Sequence, residues 1–221
     1  MDRNGPLTGL LGGSFNPAHG GHRRVSLFAL EALGLDEVWW MVSPGNPLKP
    51  KAGMAPLTAR VTAAKRASRA APIRVTAIEQ SLGTRYTIDT VRALKRRFPK
   101  RRFVWLMGAD NLAQFHLWKD WRALARELPI AVIARPGYDT DALASPAMAW
   151  LRRFRLSAAA FANRSEWSAP ALIELRFDPD PRSATAIRRA DPHWARRMDG
   201  PPPRDEVTHS LIHEPSTGHA A

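Results

Sequence analysis

Leu7-Thr8-Gly9-Leu10-Leu11-Gly12-Gly13-Ser14-Phe15-Asn16-Pro17-Ala18-His19-Gly20-Gly21-His22 is the stretch that decides how this chain is read. It opens with a short apolar run and passes into a glycine turn. An amphipathic segment, Arg23 to Leu33, follows. That order predicts a strand, a tight turn and a helix. The first four amides of a helix lack partners within it, and the macrodipole places about half a positive charge there. Phosphate groups bind readily at such ends. His19 and His22, three residues apart at the helix entrance, can both point at the same anion. Seven histidines are spread through the chain, so an ordinary surface imidazole is the competing reading. Within a glycine turn an imidazole contributes little packing, which favours contact with phosphate. Metal ligation by the pair is disfavoured, because no carboxylate lies in ligand register beside them.

Outward from this stretch, short apolar runs alternate with helical patterns. Strands are predicted at Leu7–Leu11, Val38–Val42, Ile73–Thr76, Phe103–Met107, Ile130–Ile133 and Leu172–Phe177. Helices are predicted at Gly21–Leu33, Leu57–Ala70, Thr87–Phe98, Trp118–Leu128 and Asp141–Phe154. Near-continuous apolar strands between helices predict an α/β fold, a parallel sheet with helices on both faces. Ligands bind such sheets beyond the carboxyl ends of the strands. Gly12, Ser43 and Gly108 each follow a predicted strand, so three loops converge on that edge. Ser43–Pro56 holds four prolines and two glycines and is a long loop, of the kind that forms lids and binding loops. Lys49 within it is placed either to reach over bound phosphates or simply to sit in solvent. Residues 1–198 are expected to form one domain and 199–221 a partly disordered tail, with a short helix over Arg204–His213.

At 221 residues and 44% hydrophobic content, the chain is long enough for one domain with a buried core. No run of about 18 apolar residues is present, so no membrane-spanning helix is indicated. Met1–Pro6 lacks the layout of a signal peptide, and zero cysteines exclude disulfides, thiolate catalysis and cysteine-ligated zinc. A cytoplasmic enzyme is the simplest expectation. The formal charge of +13, from 33 Lys and Arg against 20 Asp and Glu, attracts polyanions. Its densest cluster is Arg92, Lys95, Arg96, Arg97, Lys100, Arg101 and Arg102. These close a predicted helix, where cations complement the dipole. No aromatic residues interleave with them as stacking platforms for nucleic acid would require.

A second constellation, Ser183-Ala184-Thr185-Ala186-Ile187-Arg188-Arg189, follows Pro179-Asp180-Pro181. Ser183 or Thr185 suits a plain helix N-cap. The planar fork of an arginine suits a phosphate clamp. Arg189 points about 100° away from its neighbour on a helix. Together with the first stretch, Gly-Ser-Phe-Asn-Pro-x-His-x-Gly-His, this Ser-x-Thr-x-Ile-Arg spelling resembles the two signatures of the nucleotidyltransferase superfamily. Those adenylyl- and cytidylyltransferases have a Rossmann-like fold. They move a nucleotidyl group from a nucleoside triphosphate to a phosphate acceptor and release pyrophosphate. The resemblance implies ATP contacts at Gly12, Gly13, Ser14, Phe15, His19, His22, Ser183, Thr185, Ile187 and Arg188. Of these, His19, His22 and Arg188 would be catalytic, with His19 at the α-phosphate, His22 at the outer phosphates and Arg188 on the leaving pyrophosphate. The acidic residue usual before the proline is Asn16 here, so a role needing negative charge there does not carry over.

Three further stretches bear on the acceptor. Arg85-Tyr86-Thr87-Ile88-Asp89-Thr90, Gly108-Ala109-Asp110-Asn111-Leu112 with Phe115 through Trp121, and Arg135-Pro136-Gly137-Tyr138 are similar to segments of the nicotinate-nucleotide adenylyltransferases. In all, the resemblance runs from Leu7 to Arg189. It implies acceptor contacts at Thr87, Gly108, Asp110, Trp118 and Arg135, with the pyridine ring stacked on Trp118. Trp118 and Trp121, spaced i and i+3, are expected on one helix face, at least one of them packed inward. Backbone amides at a nearby helix start would receive the carboxylate. The implied reaction joins AMP from ATP to nicotinate mononucleotide, giving deamido-NAD and pyrophosphate. Magnesium would be held through the ATP phosphates, with no metal site on the protein. Nicotinamide mononucleotide, phosphopantetheine, or a sugar or polyol phosphate with CTP are alternative acceptors. A basic nucleic-acid-binding protein is the alternative of another class. No Walker loop, Gly-x-Gly-x-x-Gly or His-Glu-x-x-His occurs. Asn16 replaces the last glycine of a nucleophile elbow around Ser14, which is therefore read as a turn residue contacting phosphate.

Overall fold

The computed structural model describes residues 5–45, 53–134, 139–163, 168–177 and 183–215. In chain order they form β1 (Leu7–Gly13), α1 (Gly20–Leu33), β2 (Glu37–Val42), α2 (Leu57–Ser68), β3 (Ile73–Thr76), α3 (Ile78–Leu82), α4 (Thr87–Arg97) and β4 (Arg102–Gly108). Then come α5 (Ala109–Gln114), α6 (Trp121–Glu127), β5 (Ile130–Ala134), α7 (Asp139–Ala144), α8 (Pro146–Leu151), α9 (Ala158–Ala162), β6 (Leu172–Arg176) and α10 (Ala184–Ala190). The six strands make one parallel sheet in the order β3-β2-β1-β4-β5-β6. This is the doubly wound Rossmann order, and the winding reverses between β1 and β4.

Both faces of the sheet are covered, and the strands read accordingly. Trp40, Val42, Val104 and Leu106 enter one apolar core with Leu33, Val61 and Phe161 of the helices. Trp39, Met41, Phe103, Trp105 and Met107 enter the other, with Ile88, Val91, Leu94, Leu112 and Leu124. Successive side chains of a strand point to opposite faces, so a strand buried on both sides is apolar throughout. Gly12 leaves room for the Trp105 ring, which lies 2.9 Å from where a Cβ would stand.

All six predicted strands are present. Three expected helices differ. The first, expected over Trp118–Leu128, begins only at Trp121; Trp118 is extended, at φ −74° and ψ 145°, after a 3₁₀ turn at Phe115–Leu117. Trp118 and Trp121 therefore do not share a helix face. The stretch expected as one helix over Asp141–Phe154 divides at Ser145, whose hydroxyl caps α8 while Pro146 supplies its first position. A proline fits the first helical turn and no later one. Arg204–His213 is not a helix. An antiparallel bridge between Arg204 and Leu211 closes a turn around Asp205, which is 2% exposed. The Asp205 carboxylate accepts hydrogen bonds from Thr76 Oγ1 (2.8 Å) and the Ala77, Val207 and Thr208 amides. Glu206 pairs with Val75 through both its own amide and its carboxylate, so this segment covers the β3 edge.

Candidate nucleotide site

At the end of β1 the chain turns sharply through Phe15, whose φ of +46° is left-handed. Such a conformation costs a bulky residue about 1–3 kcal/mol and persists where packing over-determines it. The ring is 2% exposed, stacked on Trp40 at 5.2 Å and 5.0 Å from His22. Phe15 thus anchors the turn through its ring and offers a ligand only its backbone. His19 then caps α1: its Nδ1 accepts the Gly21 amide at 3.1 Å, and His22 Nδ1 accepts the His19 amide at 3.2 Å. A neutral imidazole whose Nδ1 accepts carries its proton on Nε2. The capping box therefore fixes the tautomer of both rings, whose centroids lie 4.1 Å apart. No acidic residue occupies the first turn of α1, so no carboxylate there neutralises its positive end.

The second signature lies against the first. Ser183 caps α10, its Oγ accepting the Ala186 amide at 3.1 Å. Arg188 donates from Nη1 to the Asn16 carbonyl at 2.6 Å and from Nη2 to Thr185 Oγ1 at 3.2 Å. Ile187 is half-buried and Arg189 is exposed. Asn16 is 6% exposed, and its amide donates to the Gly53 carbonyl at 2.9 Å while accepting from the Ala55 amide at 3.2 Å. A carboxylate in its place would keep only the second of these bonds. Asn16 is therefore a tie between loops, and this geometry needs its neutrality.

These loops border a cleft of about 320 Å³ at the carboxyl ends of β1 and β4, at the reversal of the winding. Gly12, Gly13, Ser14, His22 and Ala184 line it together with Thr87, Gly108, Asp110 and Trp118. His19 reaches the site through its contact with His22. A Cβ at Gly108 would meet the Asp110 carboxylate, so a substitution there would displace that side chain. Thr87 opens α4, whose N-cap Tyr86 makes no side-chain cap bond, so the first amides of that helix have no side-chain acceptor at the cap. The Trp118 ring is held edge-on by Phe115 and Trp105 at 5.3 and 6.0 Å. Trp121 packs instead on Phe115 and Trp150. Lys119 lies 4.7 Å from the centre of the Tyr86 ring at the rim, paired with Asp89. Arg135 and Lys49 fall outside the described residues.

The cleft also holds a carboxyl that sequence reasoning passed over. Glu79 on α3 lines it, and burial pushes its pKa up from 4.5 to about 7, the Ser43 hydroxyl offsetting part of the rise. A five-residue helix shows no periodicity, so nothing in the sequence marked it. Arg60 was missed as well, though a signal existed: it sits among Leu57, Val61 and Ala64, inside the buried stripe of α2. Elsewhere the basic cluster is partly paired, with Arg92 and Lys95 on Glu127 and Arg101 on Glu37.

The cytidylyltransferase-like family model matches residues 10–190. A probable nicotinate-nucleotide adenylyltransferase of Erythrobacter litoralis (strain HTCC2594) is 69% identical over 205 residues, covering 93% of this chain and 94% of that protein. Another, from Bradyrhizobium sp. (strain ORS 278), is 47% identical over 186 residues, covering 84% and 97%. Among solved structures, the nicotinic acid mononucleotide adenylyltransferase of Plasmodium falciparum complexed with NaAD aligns at a TM-score of 0.61 over 83% of each chain. At 15% identity that likeness concerns the fold. With both signatures at one cleft, and relatives this similar over nearly their whole length, the chain belongs to the nicotinate-nucleotide adenylyltransferase family of cytidylyltransferase-like proteins.

Proposed function

We propose that this protein transfers AMP from ATP to nicotinate mononucleotide in the cytoplasm, giving deamido-NAD and pyrophosphate. The observation that carries this reading is one cleft lined by His22 of the capped histidine turn and by Thr87 and Trp118. ATP would lie along Gly12, Gly13 and Ser14, its phosphates at the α1 N-terminus and near the Ser183 and Thr185 hydroxyls. An acceptor-phosphate oxygen attacks the α-phosphorus; the bond from that phosphorus to the β-bridging oxygen breaks and pyrophosphate leaves. A phosphomonoester is already ionised near neutral pH, with a second pKa of about 6, so no side-chain base is needed. The Nε2–H groups of His19 and His22 and the remaining donors of Arg188 would stabilise charge developing on the transferring and leaving phosphates.

Among the described residues no three His, Cys, Asp or Glu side chains are grouped to hold a metal ion. Glu79 and Asp110 are the described carboxylates of the cleft. That donor set fits magnesium arriving on ATP, with Asp110 as the side chain to meet it; the ion would neutralise charge on the leaving pyrophosphate. On the acceptor side, the Trp118 indole suits a pyridine ring, and the uncapped start of α4 suits its carboxylate. Isotope placement tests the scheme. With ATP labelled at the α-phosphorus the label should appear in deamido-NAD, and with γ-label in pyrophosphate. Label from the γ-position in the dinucleotide, or free AMP as the main product, would overturn it.

A further inference from the structure

Arg60 is 1% exposed, in the middle of a buried helix face, and belongs to none of the contacts proposed above. Its Nη1 donates to the Ser14 carbonyl at 2.8 Å and the Ser43 carbonyl at 2.7 Å, and its Nε donates to the Ala55 carbonyl at 2.9 Å. Those carbonyls come from the turn after β1 and from both ends of the loop between β2 and α2. Burial lowers its pKa to about 10, so it stays charged near neutral pH.

A phosphate site must show amides, and keep carbonyl oxygens turned away. In a trans peptide the C=O and the next N–H point in opposite directions. Fixing the Ser14 carbonyl on Arg60 therefore fixes the opposite heading of the Phe15 amide. Arg188 occupies the Asn16 carbonyl at 2.6 Å, though Pro17 follows and has no amide to orient. Four carbonyls around the first signature are thus taken up by two guanidinium groups.

Arg60 is in turn set from the far end of the chain. Pro56 gives α2 no side-chain cap. The cap comes from Glu214, whose carboxylate accepts the Leu57 amide at 2.9 Å, the Thr58 amide at 2.7 Å and the Thr58 hydroxyl at 2.7 Å. Burial alone would raise the Glu214 pKa, but these bonds and the charge of Arg60 hold it below the usual carboxylate range. We propose that Arg60 is a positioning residue for the nucleotide, orienting the Ser14 turn, and that Glu214 anchors it through the first turn of α2.

This rests on reading the cleft as a triphosphate site, so the test measures binding directly. A non-hydrolysable ATP analogue with magnesium, and separately nicotinate mononucleotide, are titrated calorimetrically into the full chain and its variants, well below each Tm. Arg60→Lys keeps a charge but has no fork to span the positions of Nε and Nη1. The analogue's Kd should rise about tenfold or more, with the mononucleotide's Kd changed less than about twofold. Glu214→Gln should give a smaller rise, about threefold, in the same direction. Glu206→Gln, in the same segment but bonded to Val75, should leave both constants unchanged. An unchanged analogue Kd in Arg60→Lys, or equal weakening of both ligands, would overturn the positioning role. A parent protein that fails to bind the analogue would overturn the triphosphate reading itself.

Discussion

His19 holds two jobs in one ring, and they can be separated. Its Nδ1 caps α1 and its Nε2–H is the donor proposed for phosphate. Asparagine is a good N-cap but cannot present that second donor. His19→Asn should therefore leave Tm within a few degrees and lower kcat roughly 10²–10³-fold, the loss typical of one well-placed donor to developing charge. Near-normal turnover would remove His19 from the mechanism. Glu79 gives the protein a pH dependence. Its carboxyl has a pKa of about 7 in the fold against 4.5 ordinarily, because burial favours the neutral form. Between those values the folded state binds the proton more tightly. The associated stability is complete below about pH 4.5 and is lost as pH rises through about 7. The difference is at most roughly 3 kcal/mol, less in practice because solvent reaches the cleft. Glu79→Gln should flatten Tm between pH 5 and 8 and raise it at pH 8. Melting curves that stay parallel to the parent across that range would show that Glu79 does not titrate there.

At the scale of elements, the 3₁₀ turn before α6 gives two tryptophans different tasks. Trp118 lines the cleft and Trp121 packs on Phe115 and Trp150. Trp118→Ala should raise the acceptor KM about tenfold or more while leaving the ATP KM alone, as loss of a stacking platform does. Trp121→Ala should lower stability by about 3 kcal/mol with little change in either KM, read by denaturant unfolding beside steady-state kinetics. Equal effects at the two positions would contradict the division. The same region shows what the sequence carries. The strands were legible because the central ones, as at Val38–Val42 and Phe103–Met107, are unbroken apolar runs buried on both faces, while the edge strands β3 and β6 keep apolar residues around an exposed Arg74 and Glu174. The histidine turn and the Arg188 helix were legible because their spelling is short-range and dense. The start of α6 was not, since Trp118, Trp121 and Leu124 keep helical spacing whether or not the first turn is wound. Helices α3, α5 and α9 span five or six residues and hold too few turns to show a period. Glu79 and Arg60 gain their meaning from neighbours distant in sequence, which no local pattern records.

For the molecule as a whole, the segment after Met198 closes the fold. Glu206 covers the β3 edge, Asp205 and Ile212 are buried, and Glu214 caps α2. Ending the chain at Met198 would expose Ile212's site, free the edge amide of Val75 and uncap α2. Together these cost about 3 kcal/mol or more, equivalent to a fall in Tm of roughly 6–12 °C for a chain of this size. A truncated chain melting with the parent would show that the segment contributes no stability. The +13 charge is answered only in part where it is densest, Glu127 and Glu37 pairing with Arg92, Lys95 and Arg101, and the excess gives a positive field suited to small polyphosphate substrates. The most direct test of the whole is pyrophosphate release from magnesium ATP, with nicotinate mononucleotide and nicotinamide mononucleotide compared side by side. Release with a strong preference for the acid is expected, from the uncapped α4 amides beside Trp118. Equal use of acid and amide would contradict that acceptor assignment, and release with neither would contradict the proposed reaction.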